Sequence, residues 1–358
     1  MAVFPVSVEA ISPEWLTDVL AMSFPGVEVS GIAITDYSSG TNSNAKLAVQ
    51  YRAQAGAPDT LFAKLPPNDA TQRELVRKSG MAKRETGFYR DLANTISMRV
   101  PRSYFSQYDE ASGDFLVLIE DLGAAGCSFP RPGDGFAFAA AKQAVVDLAD
   151  LHLQHFTDRL LWERTSWVGP QIRLKEYGVG MLEMALQHCT SELSDEFVDL
   201  ARLYIEHHDA AHDAWEQGAW SIIHGDCHWG NLFLDSGHIG FLDWGCMAYM
   251  PGMRDISFFL CMGLTVEGRR RHERDLIAAY LERVRRGGGP AMSADAAWEM
   301  HRLHAAYSVP ASAPASVYSL IKDKSDFEPA VVVEFMKRST TAITDLNALD
   351  ALRGHIKA

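Results

Sequence analysis

The sequence predicts an α+β chain: a five-stranded antiparallel sheet with a helix in its first third, then a larger, mainly helical part. Two observations carry that prediction. Up to Leu122, short runs rich in β-branched and aromatic residues alternate with turns containing Gly, Pro, Asn and Ser. Beyond Phe136, apolar residues recur at spacings of three and four, the helical period. Gly123 to Gly135, between them, is rich in Gly, Pro and Ala, so residues 1–122 are read as one domain and 123–358 as the other. A length of 358 residues accommodates about two domains.

Each element has a local reason. Ser12-Pro13-Glu14 supplies a capping hydroxyl and a proline at the first helical position, opening a helix through about Met22. Strands are expected at Val27 to Tyr37, Ala45 to Arg52 and Thr60 to Leu65, with turns at Ser38 to Asn44 and Ala55 to Asp59. Met81, Glu85, Phe88 and Leu92 share one stripe of a helix over roughly Thr71 to Ala93, and an acidic group on that inward stripe needs a buried partner. Val100 to Phe105 and Phe115 to Leu122 complete the sheet. Further helices are expected over Phe136 to Phe156, Lys175 to Thr190, Ser194 to Gln217, Met253 to Leu260, Glu267 to Arg286, Ala294 to Tyr307 and from Glu328 to the end, with a loop near Ser308-Val309-Pro310. His208 and His212 have the spacing of a metal pair, but Glu206, Asp209 and Asp213 mark that stretch as a solvated face. Arg269, Arg270 and Arg271 are likewise read as solvated.

Composition narrows the function. The net charge of 33 − 46 = −13 disfavours polyanionic partners, so neither nucleic acid nor an anionic membrane is expected. The cysteines (Cys127, Cys189, Cys227, Cys246 and Cys261) form no C-x-x-C pair, which suits a reducing compartment. No basic stretch followed by an apolar core opens the chain, and the run Ile256 to Leu264 falls short of the ~20 residues of a membrane helix. The expectation is a cytoplasmic protein with no obligate protein partner.

The chemistry concentrates in Ser221 to Gly245. The runs Asn231 to Leu234 and Ile239 to Leu242 flank Asp235-Ser236-Gly237-His238, a composition that predicts a tight hairpin. Asn231 and Asp243, at its two ends, are expected side by side and close to Asp226. Two carboxylates and an amide oxygen suit Mg²⁺ rather than zinc. Asn231 follows Asp226 by five positions and Asp243 follows it by 17. The kinase catalytic loop H-R-D-x-x-x-x-N has the same five-residue offset between its base and its metal-binding Asn, with the Asp of D-F-G beyond a hairpin.

His224-Gly225-Asp226-x-His228-x-x-Asn231 resembles the H-G-D-x-H-x-x-N loop of the aminoglycoside phosphotransferase and choline kinase group, and Asp243-Trp244-Gly245 is similar to that group's version of D-F-G. The resemblance spans approximately Val27 to Leu260. It implies a protein kinase-like two-lobe fold and ATP- or GTP-dependent phosphorylation of a hydroxyl on a small molecule. Carried onto this sequence, it makes Asp226 the base, Asn231 and Asp243 the Mg²⁺ ligands, and Lys64, steadied by Glu85, the cation on the phosphates. Ser39, Gly40 and Thr41, with Ser43 beyond them, would cover the phosphates, although the G-x-G-x-x-G pattern is absent. Glu120 to Leu122 would be the hinge whose backbone meets the nucleobase. Asp255 resembles a residue that anchors the catalytic segment. Phe62-Ala63-Lys64-Leu65-Pro66-Pro67 and Ile119-Glu120-Asp121-Leu122 look most like an ecdysteroid-kinase-like branch, which favours less polar alcohols.

Two departures from protein kinases point to a small-molecule acceptor. Gly225 stands where H-R-D has its arginine, and only eleven residues separate Asp243 from Asp255, too few for a peptide-docking activation segment. Two rival readings are weaker. A metal-dependent phosphoesterase needs further His and Asp ligands on strand ends, whereas the upstream Asp150-Leu151-His152 lies in a helical pattern. A catalytically weak nucleotide-binding protein of the same fold predicts loss of Lys64, Asp226, Asn231 or Asp243, and all are present.

Overall fold

The computed structural model describes residues 4–356 apart from 158, 189–192 and 321–327, so Cys189 and Thr190 lie outside the described residues. The chain divides into two compact units, Met1–Ser128 with Leu242–Cys246, and Phe129–Phe241 with Met247–Ala358.

In the first unit, the Ser12 hydroxyl caps the Trp15 N–H at 3.2 Å and Pro13 opens helix α1 (Pro13–Ala21). Strands β1 (Glu28–Ser39), β2 (Ser43–Ala53) and β3 (Thr60–Leu65) are followed by helices α2 (Ala70–Ser79) and α3 (Met81–Gly87), then by β4 (Ser103–Tyr108) and β5 (Phe115–Glu120). The sheet is five-stranded, in the order β1-β2-β3-β5-β4, and its described pairings are antiparallel. Leu61, Ala63 and Leu65 of β3 join Leu47, Leu116 and Leu118 in a core that includes Leu16 and Leu20 of α1. Strand alternation sends Lys64 to the opposite face, paired in register with Asn44 and Val117.

Two expectations are corrected here. The single helix over Thr71 to Ala93 is broken at Gly80, whose φ of +67° closes α2 in the left-handed conformation that glycine adopts most readily. After α3 the chain widens into a π-helical turn, Phe88–Leu92. The polar turn predicted from Ser38 to Asn44 is narrower. Ser39 pairs with Ser43, and the turn reduces to Gly40, Thr41 and Asn42.

The second unit contains helices α4 (Phe138–Thr157), α5 (Arg159–Arg164), α6 (Lys175–His188), α7 (Asp195–Glu206) and α8 (His208–Trp215), then strand β6 (Trp220–Ile223). Strands β7 (Leu232–Asp235) and β8 (His238–Phe241) form the expected hairpin, turning on Ser236 and Gly237, both with positive φ, as a type I′ two-residue turn requires. Strand β9 (Ala248–Pro251) pairs with β6. Helices α9 (Met253–Phe258), α10 (Val266–Arg286), α11 (Ala294–Ala305), α12 (Ser308–Leu320), α13 (Pro329–Asp345) and α14 (Ala348–Ile356) follow. Their core gathers Leu182, Phe197, Tyr204, Trp215, Met262, Leu303, Ile343 and Leu352.

Burial and helix breaks overturn several readings. The segment Ser194 to Gln217 is two helices, interrupted at His207. His208 and His212 are buried against Tyr204 and Trp215 rather than solvated, because their stripe, not that of the flanking acids, faces the aromatic core. Arg269 is buried between Glu273 and Asp345, so its two carboxylate partners, not water, satisfy it. Ser308-Val309-Pro310 opens α12 instead of forming a loop; a proline is tolerated in a first turn, where N–H groups have no helical partner. Among the described residues, no helix is long and apolar enough to cross a membrane.

Candidate active site

The predicted site residues gather in two places, one in each unit. In the first, Lys64 Nζ lies 2.6 Å from Glu85 Oε1 and 3.5 Å from Asp243 Oδ2. Glu74, an acidic residue of the preceding helix α2, pairs instead with Arg77 and Lys78. Burial opposes the Lys64 charge, but Asp243 and Glu85 outweigh it and hold the ammonium above its ordinary pKa, so it stays cationic. Asp243 has a φ of +63°. Its neighbour Trp244 is fully buried and stacks on Phe88, with ring centroids 3.7 Å apart and planes within 6°. That stack ties the Asp243 segment to the chain just after α3, which carries Glu85.

The other first-unit candidates lie at the sheet's margins. Ser39, Gly40 and Thr41 form the exposed tip of the β1–β2 hairpin, and a side chain on Gly40 would meet nothing within 4 Å. Ser43 is buried and accepts a hydrogen bond from the Tyr37 hydroxyl at 3.1 Å, which withdraws it from the tip. At the end of β5 the Glu120 carboxylate clasps Arg99 at 2.9 and 3.0 Å and accepts from the Arg102 N–H at 3.0 Å. The Leu122 carbonyl accepts from the Cys127 N–H at 2.9 Å.

In the second unit, the loop after β6 is fixed from behind by Asp255. Its Oδ2 accepts from the His224 N–H at 2.6 Å and its Oδ1 from the Gly225 N–H at 2.8 Å. His152 Nε2 lies 3.3 Å from the same carboxylate, and its Nδ1 lies 3.1 Å from the Tyr280 hydroxyl. Burial works against the Asp255 charge, but His152, His224 and the Gly225 N–H prevail and hold its pKa below the ordinary value. The Asp226 N–H then donates to His224 Nδ1 at 3.2 Å. Asn231 reaches back, its Nδ2 donating to both the carbonyl and the Oδ2 of Asp226 at 3.0 Å. His228 Nε2 stands 3.5 Å from that Oδ2, and its Nδ1 accepts from the Gly230 N–H at 3.0 Å.

This network has two chemical consequences. With Oδ2 held by Asn231 and the side chain 31% exposed, Asp226 presents Oδ1 as an oriented acceptor. With its Nδ2 committed to Asp226, Asn231 keeps its carbonyl oxygen, a hard donor of the kind Mg²⁺ prefers. Cys227 is fully buried, and burial, with Asp255 and Asp226 nearby, pushes its thiol well above its ordinary pKa. It stays protonated, which lowers its reactivity. Among the described residues, no group of three or more His, Cys, Asp or Glu side chains is arranged to hold a metal ion.

Sequence reasoning missed one charged residue beside this loop. Arg254, next to Asp255, is 1% exposed. None of its three guanidinium nitrogens makes a well-aligned hydrogen bond among the described residues, although the Tyr307 hydroxyl supports its charge. The signal was available: an Arg-Asp pair opens a helix whose next residues, Ile256 to Leu260, are mostly apolar.

The sequence matches the phosphotransferase enzyme family (APH) over residues 38–298. No curated protein matches it. Among solved structures, it resembles a candidate aminoglycoside phosphotransferase from Ralstonia eutropha at 15% identity, covering 96% of this chain and 98% of that one with a TM-score of 0.55. It also resembles the choline kinase LicA of Streptococcus pneumoniae at 11% identity, covering 92% and 98% with a TM-score of 0.51. At these identities the likeness speaks for the fold alone, which is α+β and protein kinase-like.

Proposed function

This chain belongs to the phosphotransferase enzyme family, and on that premise we propose that it moves the γ-phosphoryl group of ATP or GTP to a hydroxyl of a small molecule. The observation that carries this reading is the fixing of Asp226, whose one oxygen is held by Asn231 while the other is left to accept. Phosphoryl transfer demands alignment and charge neutralisation more than covalent help. Asp226 orients the attacking hydroxyl and takes its proton. Lys64, kept charged by Glu85 and Asp243, neutralises phosphate oxygens.

Asn231 and Asp243 are the two oxygen ligands this reading assigns to Mg²⁺, which when bound would offset the charge on the phosphates. Ser39, Gly40 and Thr41 contribute backbone and hydroxyl donors toward the phosphates, and the backbone of Glu120 to Leu122 meets the nucleobase. His224 and His228 hold the loop through the bonds described above. The short interval between Asp243 and Asp255 favours a small acceptor over a protein.

A nucleotide-consumption screen against hydroxylated metabolites and antibiotics, with Mg²⁺ present and then chelated, tests the proposal. Turnover is expected with a subset of alcohols and is lost on chelation. Asp226→Ala is expected to lower turnover roughly 10²–10⁴-fold with nucleotide binding retained. Wild-type turnover in that variant would remove Asp226 from its role. Phosphate release from esters without nucleotide would favour the phosphoesterase.

A further inference from the structure

We propose that Arg254 binds a carboxylate carried by the acceptor molecule, so that the preferred acceptor is a hydroxy acid rather than an amine. This rests on the reading of Asp226 as the group that receives the acceptor hydroxyl. Arg254 is more than nine-tenths buried, and its Nε, Nη1 and Nη2 make no well-aligned hydrogen bond among the described residues, the Tyr307 hydroxyl lending the charge only partial support. An arginine cannot shed its charge, so a buried guanidinium whose donors are left largely unmet is unfavourable. Arg338, comparably buried in the same unit, shows the ordinary solution: Glu334 and the carbonyls of Met262 and Gly263 satisfy it.

The guanidinium is also held in a fixed pose. It lies over the Tyr307 ring, 3.2 Å from the centroid, and 5.1 Å from that of Phe258. Gln171 donates to the Tyr307 hydroxyl at 3.2 Å, and Trp215 and Phe258 pack edge-on against the same ring. A planar fork immobilised on an aromatic face is preorganised for a planar, two-oxygen anion.

Neighbouring groups favour a carboxylate over a phosphate. His304 and His212 both sense the Arg254 charge, and burial holds each below its ordinary pKa, so neither adds a second cation for a doubly charged ligand. Both ring nitrogens of His304 lack a partner, so its N–H remains to be donated. The carboxylates of Asp255 and Asp226 act on Arg254 through space, so the buried cation lies within electrostatic reach of Asp226. The net charge of −13 would favour a cationic acceptor at long range. Screening confines that effect to about 8–10 Å in water, and at contact the nearest buried charge decides.

The test is a set of matched alcohols differing in one group: 4-(hydroxymethyl)benzoate, its amide and 4-(aminomethyl)benzyl alcohol, with glycerate, glyceramide and 3-aminopropane-1,2-diol as a smaller series. Binding is measured by calorimetry and turnover by nucleotide consumption. In at least one series the acid is expected to bind about 10- to 100-fold more tightly than its amide. Arg254→Gln abolishes that preference, mainly through KM, and Arg254→Lys retains part of it. Thermal unfolding of both variants reports whether they fold; if Arg254→Gln does not, the wild-type series and Arg254→Lys still decide. Equal binding of acid, amide and amine, binding of none of them, or an unchanged preference in Arg254→Gln overturns the proposal. Arg254-dependent binding of the acid without nucleotide consumption would instead sink the phosphotransferase reading and leave the anion site. Equal phosphorylation of neutral alcohols would do the reverse.

Discussion

Asp255 touches no reacting group in the proposed chemistry, yet it holds both amides that precede Asp226 and receives His152 from α4. Removing it strands two buried N–H groups and a histidine. Asp255→Ala is therefore expected to destabilise the second unit by about 3–5 kcal/mol, read by chemical denaturation, and to lower kcat through a loosened Asp226. Its pKa lies below the ordinary 3.8 in the folded chain. The stability it contributes is thus complete above about pH 4 and lost as pH falls through the folded value. The difference between wild type and variant should shrink only on that acid side; a constant difference from pH 3 to 8 would refute the linkage. Trp244 plays the matching part in the first unit. Trp244→Ala removes a fully buried indole stacked on Phe88 and is expected to cost about 3–5 kcal/mol, with Trp244→Phe recovering much of it.

At the scale of elements, α9 meets β9 at Gly252, where an added methyl would approach the Tyr280 hydroxyl at 2.6 Å and His152 Nδ1 at 2.7 Å. Gly252→Ala would push apart the pair that steadies Asp255, so a loss of about 1–3 kcal/mol and a fall in turnover are expected together. On α4, Asp147 is pushed up to about 6 by burial, helped by Asp150 and opposed by its bond from Gln143. A folded pKa above the ordinary 3.8 means the carboxylate costs stability above pH 6 and nothing below about 4. Asp147→Asn should therefore raise Tm by a few degrees at pH 8, worth about 1 kcal/mol after solvent screening, and leave it unchanged at pH 4. These are tertiary effects, and the division between legible and hidden runs along that line. Strand β3, the β7–β8 hairpin and the cap of α1 were readable because turn chemistry and alternation are local. The breaks at Gly80 and His207 were not, since the apolar period continues across both. His208, His212 and Arg269 were misread because flanking charges describe a helix face, not what packs on it; aromatic rings cover the histidines, and two carboxylates satisfy the arginine. Arg254 was overlooked for a different reason: Asp255 beside it in sequence suggests an ordinary charged pair, while the unmet nitrogens are a property of the folded unit.

The molecule as a whole is interleaved. Five residues, Leu242–Cys246, belong to the first unit although the chain on either side of them belongs to the second. They carry Asp243 against Lys64 and Trp244 against Phe88, so part of the first unit's polar centre and packing is supplied from far along the sequence. Such an insertion makes long-range closure a condition of completing that unit, and contacts of large sequence separation form late in folding. A fragment of residues 1–128 retains the sheet, α1 and the Lys64–Glu85 pair but lacks the stacked indole and the second carboxylate. It is expected to show native-like secondary structure by circular dichroism with poor amide dispersion in NMR spectra and a Tm well below that of the full chain. Joining residues 242–246 to it through a flexible linker should sharpen the spectrum and raise Tm. Introducing Trp244→Ala into that fusion should cancel most of the gain. A fragment that is fully ordered without the five residues would show that they dock onto a finished unit and that the interleaving has no part in its stability.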